Sequence, residues 1–489
     1  MPVTPTKRGR HAAGEREPPR RRASGGPDSV YKGELEGLLQ ATLAGQGGAY
    51  LKRCRLHFQG QLVAPEIFQS DHAWRLAAAS LGCLTGVCVY AKVAKMAHSK
   101  TGAFCYYLER APWESIARFA ELQGPLINCE FACWCADFVK RYLSGDNANA
   151  LKGVILSYLR HKIEAIHIGP TYSDGVAERD RKRFREPSHP IARVFSLDVD
   201  LTDYDHLDID ATDQDACDAA WPMSAIAVTI LRHLLHDAFG FKHMLTVFSG
   251  RRGVHVHVLD ASAIRMDDEA RKAVISNLNF SPHKKHARRA NDQLVHYVNG
   301  RPGLWLNLER LFVDIALDPD GLNLLGFDHQ REAFVDTLNL YGQTFLELKP
   351  TIMAAHSGRE AYLSALTFLK PHFSQQWVRN VFRATVIGMI WPRIDVGVGT
   401  LNHTIRCPFS VHDKANRLAT PVRTDSEGDV FKFHPSRAPY INPTTGDIAK
   451  ECIPWFREAV AVFDKTIASA VQTAPIVSRS KLLDVEDLV

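Results

Sequence analysis

Two aspartates stand two residues apart in SLDVDLTDYD, residues 196–205. In an extended chain, residues i and i+2 share a face. Asp198 and Asp200 therefore point one way, and Leu197 and Val199 point the other. Adjacent carboxylates repel unless a cation sits between them, and a donor set made only of oxygen suits Mg²⁺ or Mn²⁺. The plainer alternative is an acidic strand end in water. A calcium loop does not fit, because no Gly turn or terminal Glu follows in register.

A second stretch, FSGRRGVHVHVLD (248–260), sets two arginines in a tight turn. Gly250 and Gly253 let backbone N–H groups approach a ligand closely. Ser249 adds a hydroxyl, and Arg251 and Arg252 add planar donor forks suited to phosphate oxygens. His255 and His257 share a strand face. The alternative is a surface hairpin with solvated arginines. A third stretch, PRIDVGVGTLNHTIRCPFSVH (392–412), offers Asp395 as a third carboxylate. Arg406 and His412 lie downstream, and Gly397 and Gly399 keep the loop open. Taken singly, these read as a surface acid and a core histidine. Together, three carboxylates, several phosphate-type cations and Gly-bearing turns match metal-assisted nucleotidyl transfer.

The elements that must position these groups are legible in the pattern. RVFSLDVD (193–200) alternates as a strand. SAIAVTILRHLLHDAFG carries Ile226, Ile230, Leu231 and Leu234 at helical spacing, with Pro222 near its start and Gly240 closing it. MLTVFS and VHVHVLD are strands around the SGRRG turn. The result is an α/β unit with hairpin character. Upstream, YYLERAPWESIARFAEL predicts one amphipathic helix, with Tyr106, Leu108, Trp113, Ile116 and Phe119 as its apolar positions. Residues 154–170 are mixed in character, and 174–190 form a charged, Pro-terminated loop. Residues 262–390 read as successive helices, and strand-and-turn character returns at 392–422. The helical stretch is thus an insertion within one α/β domain. The end, 455–489, reads as a helix and a polar tail.

Length and charge set the limits. The chain has 489 residues and a net charge of +5. Residues 1–30 hold seven Lys/Arg against three Asp/Glu, so most of the excess lies there. Nucleic-acid binding must therefore use local basic patches. The tail lacks periodicity and is expected to be disordered. Lys7-Arg8 and Arg20-Arg21-Arg22 read either as a bipartite nuclear-import signal or as a solvated basic arm. HKKHARR (283–289) reads as a solvated helix face or a template groove. The apolar run 76–91 is shorter than the roughly 20 residues a span needs and is expected to be a buried helix. Ten cysteines at irregular spacing predict reduced thiols. Cys129, Cys133 and Cys135 lack a second ligand pair for zinc.

The three stretches, in this order and spacing, resemble the catalytic small subunit of archaeo-eukaryotic DNA primase, most closely its eukaryotic branch, over roughly residues 106–460. The resemblance implies the α/β primase fold, with mixed sheets and a helical insertion. It implies a DNA-directed RNA polymerase that makes primers for replication on single-stranded DNA, with Mg²⁺ or Mn²⁺ held by Asp198, Asp200 and Asp395. Ser249, Arg251, Arg252 and His255 match residues that cradle the incoming nucleotide's phosphates. Arg406 stands where the family usually has lysine, and His412 matches a nucleotide-contacting histidine. Glu130 and Arg141 resemble, more weakly, motifs associated with initiation. Where the family usually carries four zinc cysteines, this chain has Asp210, Ala211, Cys217 and Ala220. A structural zinc is therefore expected to be absent, with His206, Asp208, Asp210 and Cys217 the only substitutes. His257 replaces a usual tryptophan.

The implied partners are NTPs, template DNA, a primase large subunit and a replicative DNA polymerase, with no membrane. The implied location is the nucleus or, for a virus-encoded chain, the site of viral DNA replication. A primase-polymerase that also uses dNTPs and a catalytically silent structural subunit are the competing readings. The domain expectation is a basic tail (1–30), a helical extension of unknown role (31–105), catalytic core (106–262), helical insertion (263–390), catalytic core (391–460) and C-terminal helix with tail (461–489).

Overall fold

The computed structural model of the chain describes residues 102–473, apart from 136–137, 159–162, 177–188, 281–286 and 427. The basic tail, the apolar run 76–91 and nearly all of the N-terminal extension lie outside the described residues. So do most of the 174–190 loop, the first part of HKKHARR and the final tail.

Two helices, α1 (Gly102–Glu109) and α2 (Trp113–Glu121), stand where the spacing predicts one. Pro112 lies between them. It lacks an N–H, and its ring clashes with a preceding carbonyl, so the helix restarts after it. The following strands are β1 (Cys129–Cys135), β2 (Phe138–Leu143), β3 (Ile163–Tyr172) and β4 (Pro190–Ala192). They form one sheet in the order β2-β1-β3-β4, and the late strand β8 (Ile405–Arg406) also pairs with β3. Cys129, Cys133 and Cys135 lie buried on β1.

A second sheet holds β5 (Phe195–Asp200), β7 (Gly253–Val258), β6 (Met244–Phe248) and β9 (Thr420–Val422), in that order. Helix α3 (Trp221–Phe239) connects β5 to β6 and ends at Gly240, whose φ of 73° is the left-handed conformation that glycine tolerates. Strands β5 and β6 run the same way, as a helical crossover requires. The hairpin strand β7 lies between them, so every hydrogen-bonded strand pair among the described residues is antiparallel where a mixed sheet was expected.

Strict alternation gives the second sheet two different faces. Phe195, Leu197, Val199, Val254, Val256 and Val258 join Ile226, Ile230, Leu231 and Leu234 of α3 in one core. Burial of each such side chain contributes about 1.5–3 kcal/mol. Ser196, Asp198, Asp200, His255 and His257 occupy the other face. Phe119 of α2 meets His257 edge-on at 5.6 Å, and Phe463 of helix α9 (Ile453–Thr473) packs on Phe119.

Residues 268–390 are almost wholly helical and include α4 (Asp268–Leu278), α5 (Ala287–Asn299), α6 (Asp328–Asn339), α7 (Gly358–Leu369) and α8 (Gln376–Ile390). Their apolar faces continue the core of α3. The described residues end with α9. No helix among the described residues is long and apolar enough to cross a membrane.

Gly253 begins β7 where a Cβ would meet the Val199 carbonyl oxygen at 2.8 Å. That neighbour is backbone and cannot move aside alone. Gly253→Ala is expected to lower stability by about 1–3 kcal/mol, read as a reduced midpoint in chemical denaturation.

Candidate active site

The register between β5 and β7 sets Asp198 opposite His255, Asp200 opposite Gly253 and Ser196 opposite His257. His255 Nε2 lies 3.6 Å from Asp198 Oδ1. The backbone N–H of Asp395 donates to the Asp198 carbonyl at 3.0 Å, so the third carboxylate is tied directly to β5. Asp198, Asp200, Asp203, Asp205, Asp395 and Arg252 line one cavity of about 1120 Å³. Its far wall is built by the insertion, including Phe280, Leu294 and Asp336.

The electrostatics follow from this crowding. Burial, and then Asp200, Asp395 and Asp203, push the Asp198 carboxyl up to about 7. Asp203 is also raised, by burial first and then by Asp200 and Asp395. Asp200 is compensated locally. Both of its oxygens accept from Arg252 Nε, at 3.0 and 2.9 Å, and Oδ1 also accepts from the Thr202 N–H and hydroxyl. Asp395 Oδ1 accepts from the Gly397 N–H at 2.8 Å.

The SGRRG turn is closed by its own residues. Ser249 N donates to the Gly253 carbonyl, and Gly253 N donates to Ser249 Oγ at 3.0 Å. The Ser249 O–H remains a donor. Gly250 has φ of 98° and lies against His412. Arg251 donates to the Ala211 carbonyl, and Gln214 Nε2 donates to the Arg251 carbonyl. The segment expected to lack zinc cysteines thus braces the turn by hydrogen bonds. Arg417 adds an ion pair to Asp218 at 2.7 Å. His206, Asp210 and Cys217 serve other contacts. His206 packs on Tyr204, Asp210 Oδ1 accepts from Thr212, and the Cys217 thiol faces the Asp210 carbonyl at 3.8 Å.

Arg406 comes from the first sheet. It donates to the Val411 carbonyl at 2.8 Å, and its charge is felt by Asp198, His255 and His412. Burial, followed by Arg406, pushes His255 and His412 down to about 3. Both imidazoles are neutral at pH 7, so the arginines carry the positive charge. Glu130 and Arg141 sit farther along the first sheet. Arg141 Nε and Nη2 bind Glu130 at 2.7 and 3.0 Å, and the Tyr172 hydroxyl donates to the same carboxylate at 2.9 Å. Arg141 also donates to the Asn402 carbonyl, which connects this pair to the loop after Asp395.

Two buried arginines absent from the sequence expectations shape that loop. Arg193 donates to the carbonyls of Val398 and Thr400. Arg271 donates to the carbonyls of Arg193 and Ile264. Thr202 and Asp203 were also overlooked as separate members of the site, although both lie within the TDYD run.

The carboxylates fit a divalent cation in donor chemistry and in their shared cavity, since hard oxygen donors bind such ions best. As placed, they do not converge on one point. Among the described residues no three His, Cys, Asp or Glu side chains stand together as an ion cage. Asp200 must turn away from Arg252 to ligate.

Comparison with known proteins identifies this arrangement. The model of the family "DNA primase small subunit" matches residues 197–424. The DNA primase small subunit of Schizosaccharomyces pombe is 28% identical over 366 residues, covering 71% of this chain and 77% of that protein. That of Drosophila melanogaster is 27% identical over 331 residues, covering 64% and 72%. The Halorubrum lacusprofundi DNA primase small subunit PriS is 40% identical over a shorter 84 residues, 17% of this chain and 20% of that protein. Over these spans the chain is similar to DNA primase small subunits. Its α/β architecture, with two antiparallel sheets and a helical insertion, is that of the primase fold. The family match spans Asp198 through His412 and leaves Glu130 and Arg141 outside it.

The crowding at Asp198 has a pH signature. An aspartate ordinarily titrates near 4, and here it titrates at about 7. Between those values the folded chain binds more protons than the unfolded one, so stability falls as pH rises. Without divalent ions and with chelator present, Asp198→Asn is expected to flatten the decline between pH 4 and 7. Denaturation midpoints across that range measure it.

Proposed function

We infer that this chain is the catalytic small subunit of a DNA primase, a nucleotidyltransferase that makes short RNA primers on single-stranded DNA for replication. The observation that carries the reading is the single cavity that Asp198, Asp200 and Asp395 line together with Arg252, with the charge of Arg406 also reaching Asp198. Like charges are gathered there next to donors suited to phosphate, which is the demand of phosphoryl-type transfer.

Mg²⁺ or Mn²⁺ ions held by Asp198, Asp200 and Asp395 would lower the pKa of a 3′-hydroxyl and neutralise charge on the leaving pyrophosphate. Arg252 holds Asp200 until a polyanion competes for its guanidinium. It then binds phosphate oxygens and releases the carboxylate for ligation. Arg251 and Arg406 add further N–H donors, with the Ser249 hydroxyl. His255 and His412, being neutral, orient the nucleotide by hydrogen bonds. The template is read by base pairing, so the protein needs contacts to strand backbones more than to bases. Glu130 and Arg141 form a prebuilt pair suited to the initiating nucleotide.

The working enzyme is a heterodimer with a primase large subunit, and a replicative DNA polymerase is the further partner. Action in the nucleus agrees with the basic clusters Lys7-Arg8 and Arg20-Arg21-Arg22. The N-terminal extension and the insertion are the candidate docking regions.

The chain co-expressed with a large subunit is expected to make primers from NTPs on single-stranded DNA. Asp198→Ala and Asp395→Ala should each lower synthesis on the order of a thousandfold, about 4 kcal/mol of transition-state stabilisation, with circular dichroism unchanged. Wild-type rates in either variant would overturn the assignment.

A further inference from the structure

The first sheet presents an aromatic surface that the phosphate-binding residues do not use. Trp134 is 42% exposed on a strand otherwise buried. Its ring lies 5.0 Å from that of His167, tilted by 32°. The neighbours are small or thin. Ala165 stands directly opposite Trp134 on β3, Ala132 opposite His167, and exposed Val139 completes the row on β2. The indole face is therefore left open.

This surface leads to the active site. His167 stands opposite Arg406 across the β3–β8 pair, and Arg406 is the residue whose charge reaches Asp198 and His255 on the second sheet. Side chains opposite one another in a ladder share a face, so Trp134, His167 and Arg406 lie on the same face of the first sheet. Arg141, which donates to the Asn402 carbonyl, adds a second cation whose charge is felt by His403. His167 is kept neutral by burial first and then by Arg406, His255 and His403, and its Nδ1 is buried without a partner. A flat, half-open aromatic pair next to guanidinium groups is the combination on which nucleotide bases stack.

We propose that Trp134, backed by His167, is a stacking platform for one nucleobase whose phosphates lie toward Arg406. The proposal rests on the reading of the site as nucleotide-binding. The base belongs either to a free nucleoside triphosphate or to a nucleic-acid strand. Charge decides against a protein segment as the occupant, because the aromatic pair is flanked by cations and continues into the phosphate cradle.

The test uses the full chain with its large subunit and three variants, Trp134→Ala, Trp134→Leu and Trp134→Phe. Two probes are titrated by fluorescence, a mant-labelled ATP with Mg²⁺ and a fluorescein-labelled single-stranded oligothymidylate. The Ala and Leu variants are expected to weaken one probe at least fivefold, while Phe stays within twofold of wild type. Loss on mant-ATP assigns the free nucleotide, and loss on the oligonucleotide assigns the strand. Unchanged binding of both probes in Ala and Leu overturns the platform. So does a variant whose defect is loss of the large subunit, which would make the surface a protein contact. The binding readout separates this idea from the functional one. A wild-type chain that binds both probes but makes no primer removes the functional reading alone. Primer synthesis with normal probe binding by Trp134→Ala and Trp134→Leu removes the platform alone.

Discussion

Asp198 stands opposite His255, and Asp200 opposite Gly253, because β5 and β7 pair in one register. A slip of one residue would turn both carboxylates into the apolar layer on α3 and bring Leu197 and Val199 into the cavity. The apolar layer forbids this, since Leu197, Val199, Val254 and Val256 are all fully buried. Hydrophobic burial on one face of the sheet thus sustains the repulsion on the other. Folding tolerates crowded carboxylates because the pattern that creates them also fills the core. Arg252 relieves part of the cost by pairing with Asp200, and Asp198 bears what remains.

The first sheet contributes differently. Its strand β8 carries Arg406 across from His167, and the segment beyond β8 is anchored by α1. Tyr106 donates to the Phe409 carbonyl, the Val411 N–H donates to the Tyr107 hydroxyl, and Ser410 Oγ accepts from Ile166 N. These bonds tie the segment that carries Arg406 and His412 to α1 and to the first sheet. The cleft is therefore assembled from two rigid platforms, one bearing the acids and the turn, the other bearing Arg406.

Period-two alternation made the acidic strand and the hairpin readable in the sequence, because strand geometry alone fixes which side chains share a face. The crossover helix was readable from its apolar spacing and its Pro and Gly ends. Residues whose roles depend on distant partners were not readable. Arg193 and Arg271 look like ordinary surface cations in one dimension, and only tertiary contact shows that they bind backbone carbonyls of a loop far along the chain. The break at Pro112 was present in the sequence, yet apolar spacing on both sides of it suggested continuity. The neutrality of His255 and His412 also needed the fold, since it comes from burial beside arginines drawn from three segments. The open face of Trp134 was hidden for a related reason, because its cross-strand neighbours Ala165 and Val139 come from two other strands.

The Asp395 N–H bond to the Asp198 carbonyl joins two points separated in sequence by the whole insertion. During synthesis on the ribosome, β5 and the arginine turn emerge long before their third carboxylate. Everything made until then can collapse around α3, yet it lacks Asp395, Arg406 and His412. Closure of that loop is a late, non-local event with a corresponding entropic delay. A chain that stopped before this segment would lack Asp395, Arg406 and His412. The order of the polypeptide thus makes the two halves of the cleft depend on one late tertiary contact.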